Sequence, residues 1–288
     1  MIETIVHGEV RELRLAHPPA NALSPDLIAA LLAALASAAA DATGAAADAA
    51  GAAAAARQPP GAAGQAPPGA PAGPARPAAL VLSGAPGMFS AGLDVPFLLT
   101  LDRAGIGELW RAFYALLRAL AASPLPVVAA ITGHSPAGGA VLAIFCDLRV
   151  MADGDFRIGL NEVRVGLPMP PVILAAARRL LGPRVAEQLC VGGELLSPAA
   201  AARVGLVDEV VPPARVVERA VAAARELAAL PPAAMAETRR LARADLVAPF
   251  AAAGEAETAA LIESWFSAEA QSTLRALVER LASKRGGG

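Results

Sequence analysis

The stretch "VVAAITGHSPAGGAVLAIFCD", Val127 to Asp147, runs from an apolar, β-branched segment through Gly133-His134-Ser135-Pro136-Ala137-Gly138-Gly139 into a second apolar segment. A short apolar run bounded by glycine fits a strand buried on both faces, and the run after Gly139 reads as a helix. The unit is therefore strand, tight turn, helix, with a serine at the apex. From Ala119 to Cys146 no charge interrupts the chain, a length that could span a bilayer. Pro124, Pro126, Gly133, Pro136, Gly138 and Gly139 break it, with Thr132, His134 and Ser135 in the middle, whereas a spanning helix needs about 20 continuous apolar residues. Two short buried elements in a soluble protein are expected instead.

Outward from this unit the same alternation recurs. Residues 2–15 suggest two short strands around Gly8. In "NALSPDLIAALLAAL", Ser24 is placed to cap a helix with Pro25 at its first position and Asp26 in its first turn. Leu27, Ile28, Leu31, Leu32 and Leu35 share one face of it. A strand at 78–84, the loop "APGMFSAGLDVPF" and a helix around 105–122 precede the opening stretch. Strands near 147–152 and 156–159 follow it, and from Pro171 helices dominate, broken by a strand at 206–211. Trp265, Phe266, Leu274, Leu277, Val278 and Leu281 form apolar stripes that suit a core or a subunit contact. Strand–helix alternation followed by a helical tail defines an α/β domain with a helical appendage.

One segment stands apart. From about 38 to 77 the chain is Ala, Gly and Pro with four charges and no Leu, Ile, Val or aromatic residue. Its first part can extend the preceding helix, since alanine is the best helix former. The Pro/Gly-rich remainder has nothing to offset the entropy of ordering it and is expected to be disordered, an inert insertion.

Composition excludes several functions. A net charge of −2 leaves no electrostatic footprint for nucleic acid. Two cysteines, Cys146 and Cys190, make no disulfide framework, and three histidines without a nearby Cys pair suggest no metal centre. The N-terminus has an acid at position 3 and no basic-then-apolar run, so a secretory leader is not expected and a cytoplasmic location is.

Ser135 invites comparison with a nucleophile elbow, in which the N–H following the serine serves as an oxyanion donor. That residue is Pro136, which has no N–H. The triad order on such folds also requires a histidine after the serine, and His7, His17 and His134 all precede it. The glycines then explain the turn better. Gly138 and Gly139 open a helix, where N–H groups are unpaired and the dipole is positive, and glycine allows a ligand atom close to them. "MFSAGLD", Met88 to Asp94, is a second small-residue turn after a buried strand and can supply a second N–H. Glu162, in "IGLNEVRVGLPMP", sits among apolar neighbours that would raise its pKa toward that of a general base. Two donors and one base are what enolate chemistry requires.

Phe89-Ser90-Ala91-Gly92-Leu93-Asp94, Pro136-Ala137-Gly138-Gly139 and Ile158-Gly159-Leu160-Asn161-Glu162 together resemble the crotonase (enoyl-CoA hydratase/isomerase) superfamily. The similarity runs from Asn21-Ala22-Leu23-Ser24 to Leu277-Val278-Glu279-Arg280-Leu281, with the 38–77 insertion outside it. The resemblance implies an α/β fold, a crotonase-like spiral of ββα units. Residues 1–195 would form the core and 196–288 a C-terminal helical region for oligomerisation, into a homotrimer or dimer of trimers. It implies an acyl-CoA thioester substrate, with no separate cofactor, metal, nucleic acid or membrane partner. The thioester oxygen would be held by the N–H groups of Leu93 and Gly138, and Ser90, Ala91, Gly92, Leu93 and Asp94 would line the CoA pocket.

Hydratases of the superfamily use two glutamates. By position the first falls on Val141, the second on Glu162, and a further acid found in dienoyl-CoA isomerase-like relatives falls on Pro170. One carboxylate remains, enough to move a proton between C2 and C4 of a 3-enoyl-CoA. Val141 would form an apolar wall against water. Within the superfamily the motifs most resemble the Δ3,Δ2-enoyl-CoA isomerases of fatty-acid oxidation. Two readings stay beside this one: another crotonase reaction, hydration or thioester hydrolysis, with Asp94 or Asp155 as a second acid, and a non-catalytic acyl-CoA-binding protein. Arg157 and Arg164 are open candidates for CoA phosphates, and His134 for a substrate contact.

Overall fold

The computed structural model describes residues 1–55 and 76–286. Strands β1 (Ile2–His7) and β2 (Val10–Leu15) form an antiparallel hairpin turning at Gly8, whose φ is +69°. Helix α1 (Pro25–Ala55) starts as its sequence dictates: Ser24 Oγ accepts the Leu27 N–H, Pro25 is the first residue, and Asp26 faces the positive helix end. Its length and composition over Pro25–Thr43 would suit a membrane span, yet Leu27, Ile28, Leu31 and Leu35 are buried in the protein core. The helix runs on through alanine into the 38–77 insertion, whose Pro/Gly-rich part at 56–75 lies outside the described residues.

The next three turns of chain repeat one plan. The first comprises β3 (Ala79–Ser83), β4 (Gly87–Met88), α2 (Val95–Leu98) and α3 (Arg103–Ala121). The second comprises β5 (Val127–Ile131), β6 (Gly133–Pro136) and α4 (Gly138–Ile144). The third comprises β7 (Leu148–Ala152), β8 (Ile158–Gly159), a 3₁₀ turn at Glu162–Val165 and α5 (Pro171–Gly192). Then follow α6 (Pro198–Arg203), β9 (Glu209–Val211), α7 (Val216–Ala228), α8 (Pro232–Ala242), α9 (Ala244–Val247), α10 (Pro249–Ala252), α11 (Glu255–Trp265) and α12 (Ala268–Gly286).

The first strand of each turn joins a six-stranded sheet in the order β1-β2-β3-β5-β7-β9, parallel after the hairpin, and the second joins a small parallel sheet β4-β6-β8. This is a spiral of ββα units with a C-terminal helical region. The large sheet is apolar on both faces because helices cover both. Along β3 and β5, Leu80, Leu82, Val127, Ala129 and Ile131 face the core shared with α1, α3 and α4. Their alternates Val81, Val128 and Ala130 face Val216, Ala220 and Ala224 of α7. Residues beyond 195 thus complete the main layers: β9 extends the sheet and α7 covers one side of it.

The segment Gly133–Pro136 departs from the tight turn expected of it, being the middle strand of the small sheet. Gly133 pairs with Gly87 so closely that a Cβ there would lie 2.0 Å from the Gly87 carbonyl carbon, so the pairing requires glycine. The strand expected at 206–211 shrinks to Glu209–Val211, with Leu206 and Val207 buried before it.

Candidate active site

In each turn of the spiral, the segment leaving the small-sheet strand arrives at one cavity of about 330 Å³. Leu93 comes after β4, Gly138 after β6 and Glu162 after β8, and all three line it. The opposite wall is apolar: Trp110 and Phe113 of α3, Ile173 of α5, Trp265 of α11, and Leu277 and Leu281 of α12. Such a mostly apolar concavity with a few convergent polar groups is the usual form of a small-molecule site.

The loop carrying Leu93 is clamped by the segment before α1. Asn21, at φ +49°, donates from Nδ2 to Phe89 O at 3.0 Å, and Leu23 N–H donates to Gly92 O at 2.8 Å. The Ser90 hydroxyl donates to Asn21 O at 2.8 Å and accepts the Gly92 N–H at 3.2 Å. Ser90 is buried, and its side chain is consumed in the turn. Ala91 and Leu93 reach the cavity. Gly92 supplies the close approach: at φ +86°, a Cβ on it would lie 3.0 Å from the Gly138 nitrogen. Asp94 instead caps α2, accepting the Phe97 N–H at 3.3 Å.

On the other side Ala137 precedes α4 at φ 46°, ψ −123°, and the first intrahelical bond runs from Val141 N–H to Ala137 O. The Gly138 N–H therefore has no intrahelical partner. Among the described residues no protein group accepts it, nor the Leu93 N–H. A Cβ on Gly138 would sit 3.4 Å from Leu93 N, so the two donors flank one small space.

Among the described residues, Glu162 is the one ionisable side chain in the cavity wall. The residue is half-buried, but its Oε2 is buried and has no hydrogen-bond partner. Burial pushes the carboxyl up to about 7, against a smaller opposing effect of its own backbone N–H. The thiol of Cys190 is itself driven up to about 11 by burial, with the Glu162 charge adding to the shift.

Other positions singled out from sequence fall elsewhere. Val141 is 1% exposed and belongs to the core, not the cavity wall, so it forms no barrier to water there; what matters is that α4 presents no acid. Pro170 does line the cavity. Asp155 is solvent-exposed and paired with Arg157 at 2.7 Å. Arg164 Nε donates to Gly193 O at 2.5 Å. His134 Nδ1 accepts the Arg157 N–H, and its ring meets Phe156 edge-on at 5.3 Å. Ser135 is fully buried with an unpartnered Oγ, unable to act as a nucleophile on a ligand. Cys146 is buried in the core. The sequence reading did not place Trp110, Trp265, Leu277 or Leu281 in the cavity, and gave Asn161 no role of its own. Apolar spacing shows which face of a helix is buried, not that it surrounds a hole.

Two unpaired backbone donors and a raised-pKa carboxyl lining one apolar cavity, on a spiral of ββα units, make an enzyme-like small-molecule site. A profile of the enoyl-CoA hydratase/isomerase family matches residues 75–285, and the chain belongs to that family. It is 33% identical over 208 residues to human mitochondrial enoyl-CoA delta isomerase 1, covering 72% of this chain and 69% of that one. It is 36% identical over 166 residues to a putative enoyl-CoA hydratase of Thermus thermophilus, covering 57% and 65%. The crystal structure of human mitochondrial delta3-delta2-enoyl-CoA isomerase superposes with a TM-score of 0.83 at 27% identity, covering 100% of this chain and 99% of that one.

Proposed function

We propose that the protein is a Δ3,Δ2-enoyl-CoA isomerase of fatty-acid oxidation. The observation that carries the reading is that, among the described residues, Glu162 is the one ionisable group in the wall of a cavity also lined by two unpartnered N–H groups. Glu162 as carboxylate takes a proton from C2 of a 3-enoyl thioester. The electron pair left at C2 delocalises into the thioester carbonyl on one side and the C3–C4 double bond on the other, giving a dienolate with charge on the thioester oxygen and on C4. The Leu93 and Gly138 N–H groups act as the oxyanion hole for that charge. The same carboxyl, now protonated, returns the proton at C4, which leaves the double bond between C2 and C3. Hydration would call for a second acid or base to orient water, and among the described residues the cavity wall carries none. The apolar wall and buried Oε2 also favour a proton that stays on the enzyme between the two steps.

CoA enters as part of the substrate, and no separate cofactor is needed. Ala91 and Leu93 are the members of the 90–94 loop positioned to touch the thioester end. A cytoplasmic trimer or dimer of trimers completes the proposal. Parallel turnover of trans-3-hexenoyl-CoA and crotonyl-CoA tests it. The expected result is isomerisation of the first, little hydration of the second, and near-complete loss of isomerisation in Glu162→Gln. Hydration as the main activity would sink the reading, as would a Gln variant that still isomerises.

A further inference from the structure

Asn161 stands between the two halves of the site. It immediately precedes Glu162 and lines the same cavity, and its Oδ1 accepts the Ala137 N–H at 2.9 Å, a proton shared with Gly159 O at 2.8 Å. A backbone N–H can only donate, so the carboxamide is held with its oxygen toward Ala137.

Ala137 needs holding. With Asn21 it is one of two non-glycine residues at positive φ among the described residues, and at φ 46°, ψ −123° it lies where side-chain-bearing residues are strained. Such conformations are costly and persist only where the surroundings over-determine them. The ψ of Ala137 sets the plane of the Ala137–Gly138 peptide, and with it the direction of the Gly138 N–H. The two acceptors on the Ala137 N–H are the hydrogen bonds that pin this residue to the third turn of the spiral, and Asn161 provides the one made by a side chain.

We infer that Asn161 is the positioning residue of the Gly138 donor: its carboxamide oxygen fixes the strained Ala137 and so aims the Gly138 N–H at the ligand's thioester oxygen. Because Glu162 is the next residue, one short segment fixes both the base and a donor opposite it. The inference rests on the oxyanion role proposed above.

Its test reads the donor directly. Hexanoyl-CoA labelled with ¹³C at the thioester carbonyl is bound to the intact protein, and its C=O stretch is followed by isotope-edited infrared difference spectroscopy. The wild type should lower the frequency relative to free thioester. Asn161→Ala should lose most of that shift and lower kcat by about 10–100-fold with KM changed less than about threefold, below the 10²–10³ of a deleted donor. Glycine at 137 tolerates the same φ and ψ without strain, so Ala137→Gly in the Asn161→Ala background should restore part of the shift and of kcat. If Asn161→Ala does not fold, Asn161→Asp keeps the acceptor and the shape and should keep the greater part of the shift.

An undiminished shift in Asn161→Ala overturns the inference, as does a folded Asn161→Asp at the free frequency. Loss in Asn161→Ala without rescue by Ala137→Gly also overturns it, pointing to direct contact of Asn161 with ligand. A wild type that leaves the thioester frequency unmoved would instead overturn the oxyanion reading on which the inference stands.

Discussion

Burial raises the Glu162 carboxyl to about 7, and this has opposite consequences for rate and stability. As the pH falls through 7 the group gains a proton and can no longer accept one from C2. The kcat/KM for a 3-enoyl-CoA should therefore show an acid limb with an apparent pKa of about 7 and a plateau above it. For stability, the unfolded group titrates near its usual 4.5. Between 4.5 and 7 the folded chain holds a proton that the unfolded chain has released, so the neutral carboxyl's contribution is complete below 4.5. It is lost as the pH rises to about 7 and changes no further. Glu162→Gln cannot ionise, and should gain roughly 2–3 kcal/mol over the wild type at pH 8.5 compared with pH 5, while losing turnover at both. Thermal unfolding at the two pH values checks this, and an equal difference at both would show that the Glu162 carboxyl is not raised in the folded chain. The raised pKa of Glu162 was legible from its apolar neighbours in sequence. The Asn161–Ala137 hydrogen bond was not, because the two residues are 24 apart and only the β6–β8 pairing brings them together.

At the scale of elements, the start of α4 separates chemistry from packing in two adjacent glycines. A Cβ on Gly138 would meet the Leu23 Cδ1 at 3.0 Å, the end of a flexible side chain, and the Gly92 Cα at 3.1 Å in the clamped loop, and would lie 3.4 Å from Leu93 N. A Cβ on Gly139 would be 2.4 Å from the Ser90 carbonyl oxygen, which is backbone within a clamped loop. Gly138→Ala, whose contacts must give by only a few tenths of an ångström, should cost about 1 kcal/mol of stability, less than Gly139→Ala, and, by crowding the space between the donors, reduce turnover by about 10²–10³. Gly139→Ala should force α4 away from the β4 loop and cost about 1–3 kcal/mol or more. Urea unfolding and turnover of both variants distinguish the two effects; a benign Gly139→Ala would mean that α4 can shift on its seat. The large-sheet strands and α1 were readable because their signals are local: continuous apolar runs, and Ser24-Pro25-Asp26 at a helix start. Strand β6 was read as a turn because Gly-His-Ser-Pro has neither alternation nor β-branching. It becomes a strand only through backbone pairing with β4 and β8, elements more than 20 residues away.

At the scale of the whole molecule, the spiral delivers three equivalent points, after β4, β6 and β8, to one side of the cavity, and the C-terminal helices close the other. The stripe on α12 read from sequence as core or subunit contact faces the chain's own cavity through Leu277 and Leu281. Leu281 is 44% exposed even so, which places it at the rim, while Trp265 of α11 is 1% exposed and anchors the wall. Under the proposed function such an apolar wall suits the acyl tail, not the thioester. Removing two leucine contacts from that wall should weaken binding of long chains by about 1–2 kcal/mol, about tenfold. A chain too short to reach them should be unaffected. The Leu277→Ala/Leu281→Ala variant should thus raise KM for trans-3-dodecenoyl-CoA about tenfold while leaving KM for trans-3-hexenoyl-CoA and both kcat values within about twofold. Partial exposure of both side chains keeps the cost to folding small. If the six-carbon substrate suffers as much as the twelve-carbon one, α12 covers the reacting end, and its function is to exclude water from the dienolate. If neither substrate is affected, the tail leaves the cavity by another route, between α3 and α5, where Phe113 and Ile173 become the residues to change.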